Sequence, residues 1–107
     1  MRTVSQRSLG GPEVLEVVEA EKPGARFTEV LIRVRAVSLN PVDAAARTGR
    51  FPLLGQPPFR VGWDVSGVVE AAGPGARFKP GDEVYGLPGF PFTEVGYSEY
   101  IAPVLTV

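Results

Sequence analysis

Glycine and proline interrupt this chain too often for long helices. Thirteen glycines and eleven prolines, about a fifth of all residues, fall between short apolar segments, where they read as turns and not as a disordered tract. The segments are strand-like. "TVSQ" and "GGPEVLEVVEA" predict two strands joined through a Gly-Gly-Pro turn, the second with apolar residues on both faces around Leu15 to Val18. "EVLIRVRAV" alternates most clearly, with Val30, Ile32, Val34 and Ala36 on one face and Leu31, Arg33, Arg35 and Val37 on the other. Further strands are expected around Ser66 to Ala71, Glu83 to Tyr85 and Tyr97 to Ala102, with the proline-rich "RFPLLGQPPFRVGWD" as an ordered loop. At 107 residues one domain is expected, burying roughly two-thirds of the surface its unfolded chain exposes. The pattern predicts a mainly β barrel or sandwich. The ending "APVLTV", with no polar tail, suggests a domain incomplete at its C-terminus.

One segment departs from this pattern. In "SLNPVDAAARTGRF", Asn40 suits an N-cap, Pro41 the first helical position, Asp43 the positive end of the helix dipole and Gly49 the C-terminal stop. A helix of about two turns is expected between them.

The composition removes many chemistries. Neither cysteine nor histidine occurs, so disulfides, thiolate nucleophiles, Ser-His triads, imidazole bases and Cys/His zinc sites are excluded. Eleven basic and twelve acidic residues give a net charge of -1 without a long run of either sign, which points away from nucleic acid and anionic membranes. No apolar run is long enough to span a bilayer and "MRTVSQRSLGG" lacks the apolar centre of a signal peptide, so a cytoplasmic location is expected. Asp43 and Asp64 are the acids beside unusual loops, but a solvated or capping role outweighs a paired-carboxylate mechanism on spacing alone. Phe51, Phe59, Trp63, Phe90 and Phe92 fit either an apolar cleft or a core. "GPGARF" begins like a dinucleotide fingerprint, yet Phe78 replaces its third glycine and Lys79-Pro80-Gly81 forbids the helix that must follow; it reads as a turn, as does "PGDEV".

Taken in order, "GGPEVLEV", "EVLIRVRAVSLNPVDAAARTGRFP", "VGWDVSGVVEAAGPGARFKPGDEVYG" and "GYSEYIA" resemble the N-terminal, GroES-like domain of the medium-chain dehydrogenase/reductase superfamily, in its zinc-independent, quinone-oxidoreductase-like branch. The resemblance runs over nearly the whole chain. It implies a GroES-like, partly open barrel of short strands with one short helix, spanning residues 1–107, and a dinucleotide-binding domain that this chain lacks. It also implies NADPH as the hydride donor, held mainly by that other domain, and a small quinone or conjugated carbonyl as acceptor. Zinc relatives carry a cysteine ligand where Asn40-Pro41-Val42-Asp43 stands and a Gly-His-Glu motif where Gly62-Trp63-Asp64 stands, so no metal is expected. By the same resemblance Asn40, Val42 and Asp43 border the nicotinamide end of the cleft, Asp64 stands close by, and Phe51 occupies a position where the branch often has tyrosine. Asn40 is thereby expected to cap the helix and face the cleft at once. A homodimer of the full-length protein is compatible with the resemblance. The competing reading is a free-standing, non-catalytic GroES-like binding or interaction module.

Overall fold

A computed structural model of the chain describes residues 1–87 and 97–104. Six strands and one α-helix follow in the order β1 (Arg2–Ser5), β2 (Glu16–Glu19), β3 (Val30–Ala36), α1 (Pro41–Thr48), β4 (Val65–Ala72), β5 (Glu83–Gly86) and β6 (Tyr100–Ile101). Single 3₁₀ turns stand at Pro12–Val14 and Pro52–Leu54, each opened by proline. β1 and β2 form an antiparallel pair, and the other four strands form a sheet in the order β5-β4-β3-β6. Neither sheet closes on itself among the described residues. Isolated bridges, Thr3 with Ser98 and Gln6 with Phe59, tie β1 and its extension to the rest.

The apolar alternation of β3 and β4 builds the main core, in which Val30, Ile32, Val65, Val69, Val84 and Ile101 pack together. Strict alternation breaks at Leu31, which is buried between two buried neighbours. The break coincides with a slip in the ladder, since Leu31 pairs with Ala71 while Ile32 pairs with Val69, leaving Glu70 as an extra residue. A second slip, between Val34 and Ala36, leaves Arg35 extra on β3. The last strand is shorter than the sequence suggests, with only Tyr100 and Ile101 in regular pairing to β3. The Gly73 to Phe78 stretch is a turn, closed by the Ala76 N–H on the Gly73 carbonyl at 3.0 Å.

Helix α1 covers a second cluster of Ala46, Phe59, Val61 and Trp63, with Val42, Phe51, Leu54 and Tyr97 around it. This places Phe59 and Trp63 in the core, while Phe90 and Phe92 lie outside the described residues. Both helix ends are fastened. Gly49 takes the left-handed conformation, φ 95°, that stops the helix. The Arg47 carbonyl near the C-terminus accepts from Gly10 N–H at 3.1 Å and from the fully buried Gln6 side chain, also at 3.1 Å, meeting part of the demand that every helix C-terminus leaves.

Gly67 is where β3 and β4 come too close for a side chain. A Cβ there would stand 2.3 Å from the Arg33 carbonyl oxygen and 2.8 Å from Ile32 Cγ2. Gly67→Ala is therefore expected to cost about 1–3 kcal/mol, read as a lowered Tm in thermal unfolding; an unchanged Tm would show that the strands are not held at this spacing.

Candidate functional site

The loop from β3 into α1 and the start of β4 meet at one carboxylate. Asp64 Oδ1 accepts from the Ser38 N–H at 2.9 Å, and Oδ2 accepts from the Ser38 hydroxyl and from Asn40 Nδ2, the latter at 3.0 Å. Burial is the largest single influence on Asp64 and works against ionisation. The hydrogen bonds from the Ser38 hydroxyl, the Ser38 N–H and the Asn40 amide together outweigh it and hold the carboxyl below the usual carboxylate range. An ionised carboxylate only accepts, so the network itself fixes which end of the Asn40 amide faces it.

This alters the expected role of Asn40. It stands at the N-cap with extended backbone, φ -127° and ψ 152°, and with Asp43 it has the capping-box arrangement. The close hydrogen bond of that arrangement, however, is donated by the Asn40 N–H to Asp43 Oδ2 at 3.1 Å, and no side-chain bond from Asn40 caps the helix. Its amide hydrogens go instead to Asp64 and, at a longer 3.4 Å, to the Ser38 carbonyl. Asn40 thus has no amide N–H left to offer a substrate carbonyl; it retains only acceptor capacity at Oδ1.

Asp43 is turned inward. It is 6% exposed, and its Oδ2 also accepts from the Tyr97 hydroxyl at 2.5 Å while Oδ1, likewise buried, accepts nothing. Burial, then the Asp43 carboxylate, pushes the Tyr97 phenol above its ordinary range, so it stays protonated and donating. The carboxylate of the capping position is therefore part of the packing under α1.

Beside the Asp64 junction lies a groove of about 700 Å³ whose lining includes Asn40, Val42, Trp63, Asp64, Ser66 and Tyr85. This lies in the size range of small-molecule sites, and among the described residues no lysine or arginine lines it. Of the five residues the sequence points to, the structure brings Asn40, Val42 and Asp64 to this groove. Asp43 and Phe51 are not on its wall: Asp43 is drawn under the helix by Tyr97, and Phe51 packs edge-on against Trp63, ring centroids 6.1 Å apart at 89°. A larger cleft of about 930 Å³ on another part of the surface, bordered by Thr3, Arg26, Arg60 and Tyr100, holds none of the five. Sequence reasoning missed Ser38 and Tyr97. A serine two residues before the N-cap asparagine is a weak local hint, and nothing local links Tyr97 to Asp43, 54 positions away. Among the described residues no group of three or more acids stands close enough to hold a metal ion.

An open, mainly β body with one short helix is the architecture that the resemblance to the alcohol dehydrogenase GroES-like domain implies. The comparisons agree. The family model of the alcohol dehydrogenase GroES-like domain matches residues 26–101. Quinone oxidoreductase from Homo sapiens is 40% identical over 105 residues, covering 94% of this chain and 30% of that protein. NADPH-dependent alkenal/one oxidoreductase, chloroplastic, from Arabidopsis thaliana is 43% identical over 79 residues, covering 71% of this chain and 20% of that protein. The solved quinone oxidoreductase from Coxiella burnetii matches with a TM-score of 0.87 and 34% identity, over 97% of this chain and 34% of that one. The chain belongs to the alcohol dehydrogenase GroES-like domain family, within the medium-chain dehydrogenase/reductase superfamily, and spans about a third of the length of its quinone oxidoreductase relatives.

Two outcomes follow from the junction. If Asn40 were only a cap, aspartate would replace it well. With its amide nitrogen 3.0 Å from Asp64 Oδ2, Asn40→Asp instead sets two carboxylates together, and about 1–3 kcal/mol should be lost at neutral pH. The sign with pH is fixed. Asp64 has its pKa depressed by folding, so its contribution in the unsubstituted chain is present above the unfolded value of about 4 and is lost as pH falls below it. Acid also relieves the paired carboxylates of the variant, so the stability gap should be widest at neutral pH and close below about pH 4. Urea unfolding of both chains across that range is the measurement, and a gap independent of pH would refute the pairing. Tyr97→Phe, which leaves Asp43 with one donor in a buried site, should cost about 1–3 kcal/mol; wild-type stability in the same assay would show the 2.5 Å contact to be without energetic weight.

Proposed function

We propose that this chain is the substrate-side domain of a zinc-independent, NADPH-dependent oxidoreductase that reduces quinones or conjugated carbonyls. The observation that carries the reading is the groove at the start of α1. It is largely apolar, has Asn40 and Asp64 at its edge, and by the family resemblance holds Asn40 and Trp63 where the zinc enzymes of the superfamily have metal ligands. With no cysteine or histidine in the chain, zinc has no ordinary ligand set here.

The groove fits part of a dinucleotide. Its largely apolar wall suits a nicotinamide ring, with the acceptor capacity of Asn40 Oδ1 available to a carboxamide N–H, whereas the Asp64 carboxylate and the absence of basic residues from the described lining leave the phosphates to the dinucleotide-binding domain. When bound, NADPH would supply the hydride. The residues of this chain hold the acceptor beside it: Val42 and Trp63 exclude water, and the Asp64 junction keeps the wall in place.

The test joins this chain to its dinucleotide-binding domain and follows NADPH oxidation. Quinone-dependent oxidation by the joined protein, with none by residues 1–107 alone and no stoichiometric zinc by elemental analysis, is expected. Robust turnover by residues 1–107 alone, or activity that tracks bound zinc, would overturn the reading.

A further inference from the structure

The groove needs donors for a carbonyl oxygen, and those nearest the helix are already engaged. The Ser38 hydroxyl and the Asn40 amide both donate to Asp64. Two hydroxyls remain on its lining, those of Ser66 and Tyr85, and neither has a hydrogen-bond partner among the described residues. They are direct neighbours. Ser66 on β4 pairs with Tyr85 on β5 and, on its other side, with Ala36 on β3. All three line the groove, so they form one row across three strands, with Cβ atoms of directly opposed residues about 4.5–5.5 Å apart. Along β5 the core residue is Val84, and Tyr85 points to the other face with 80% of its surface exposed. Its ring contributes little to packing, although an aromatic side chain ordinarily buries much of its area.

The row has the shape and chemistry of a platform. Ala36 and Ser66 are small and leave a shallow floor, the Tyr85 ring stands at one end, and the only free polar groups along it are hydroxyls able to donate. A quinone is the complement of that surface, being flat, apolar over its faces and furnished with acceptors alone. We propose that Tyr85 and Ser66 recognise planar cyclic quinones in this groove, the Tyr85 ring stacking on the ligand and the Ser66 hydroxyl donating to a carbonyl oxygen. This rests on the functional reading above and makes it more specific, because a small acyclic enal offers a carbonyl to Ser66 but no ring to Tyr85.

The test uses the full-length protein, with NADPH as donor and 1,4-naphthoquinone or acrolein as acceptor. Tyr85→Ala should raise KM for 1,4-naphthoquinone about five- to tenfold, with kcat nearly unchanged and acrolein kinetics within about twofold. Tyr85→Phe, which keeps the ring, should stay close to the unsubstituted enzyme in KM. Ser66→Ala should lower kcat/KM for both acceptors by about two- to tenfold, the effect of one neutral hydrogen bond. An exposed Tyr85 predicts that Tyr85→Ala leaves Tm and the KM for NADPH unaltered. Equal effects of Tyr85→Ala on the two acceptors, or none on the naphthoquinone, would overturn the proposal. If the unsubstituted enzyme reduces neither acceptor, the functional reading fails, and ligand-detected NMR of 1,4-naphthoquinone decides the platform separately. Signal transfer seen with the unsubstituted protein and lost with Tyr85→Ala supports it, and equal or absent transfer in both overturns it.

Discussion

The Asp64 carboxylate is the point at which three parts of the chain are made to agree. It belongs to the entry of β4, and it accepts from Ser38 and Asn40 in the loop that carries β3 into α1. Without it that loop would have polar groups facing a half-buried site with no acceptor, a cost comparable with the hydrogen bonds themselves. With it, the start of the helix is fixed relative to the sheet. The groove lies between those two elements, so its width is set by the same contact.

A second carboxylate fastens the same helix from the opposite side. Asp43 accepts from the Asn40 backbone and from Tyr97, just ahead of the short β6. Asn40 is thus held twice, through its backbone by Asp43 and through its side chain by Asp64. Such doubling suits a wall residue in a binding site, since a side chain whose rotamer is locked by neighbours loses little freedom when a ligand arrives. It also explains why the aromatic residues of this region belong to the core: Trp63, immediately before Asp64, is 1% exposed and anchors the strand entry from below.

How much of this could be read from the sequence depends on distance along the chain. The helix from Asn40 to Gly49 was legible because cap, proline and stop residues act within a few positions. β3 and β4 were legible from alternation, except at Leu31, where burial on both sides follows a ladder slip that no local pattern announces. The chemistry of the site was less accessible. That Asn40 belongs at the helix start is a local fact, but that its amide serves Asp64 depends on a contact 24 positions away, and the Tyr97 partner of Asp43 is farther still. The cross-strand row of Ala36, Ser66 and Tyr85 depends on register, which is set by the two bulges and the sheet order. The family resemblance pointed to five residues, of which Asn40, Val42 and Asp64 line the groove while Asp43 and Phe51 do not, and only the structure shows which of their atoms are engaged.

Two acids near one groove invite an acid–base mechanism, and their partners argue against it. Asp43 is buried beneath the helix, away from the groove lining. Asp64 borders the groove, but a carboxylate held ionised by three donors has no proton to give near neutral pH, and taking one up would cost it those hydrogen bonds. The proposed reduction makes no such demand of either. The hydride acceptor becomes negatively charged at oxygen, which calls for hydrogen-bond donors there and for a proton that water or a hydroxyl can deliver. The sheet side of the groove presents hydroxyls, while the helix side presents groups already committed to one another. Under the proposed function, that division leaves the helix side to hold the wall and the Ser66 hydroxyl on the sheet side to meet the developing charge.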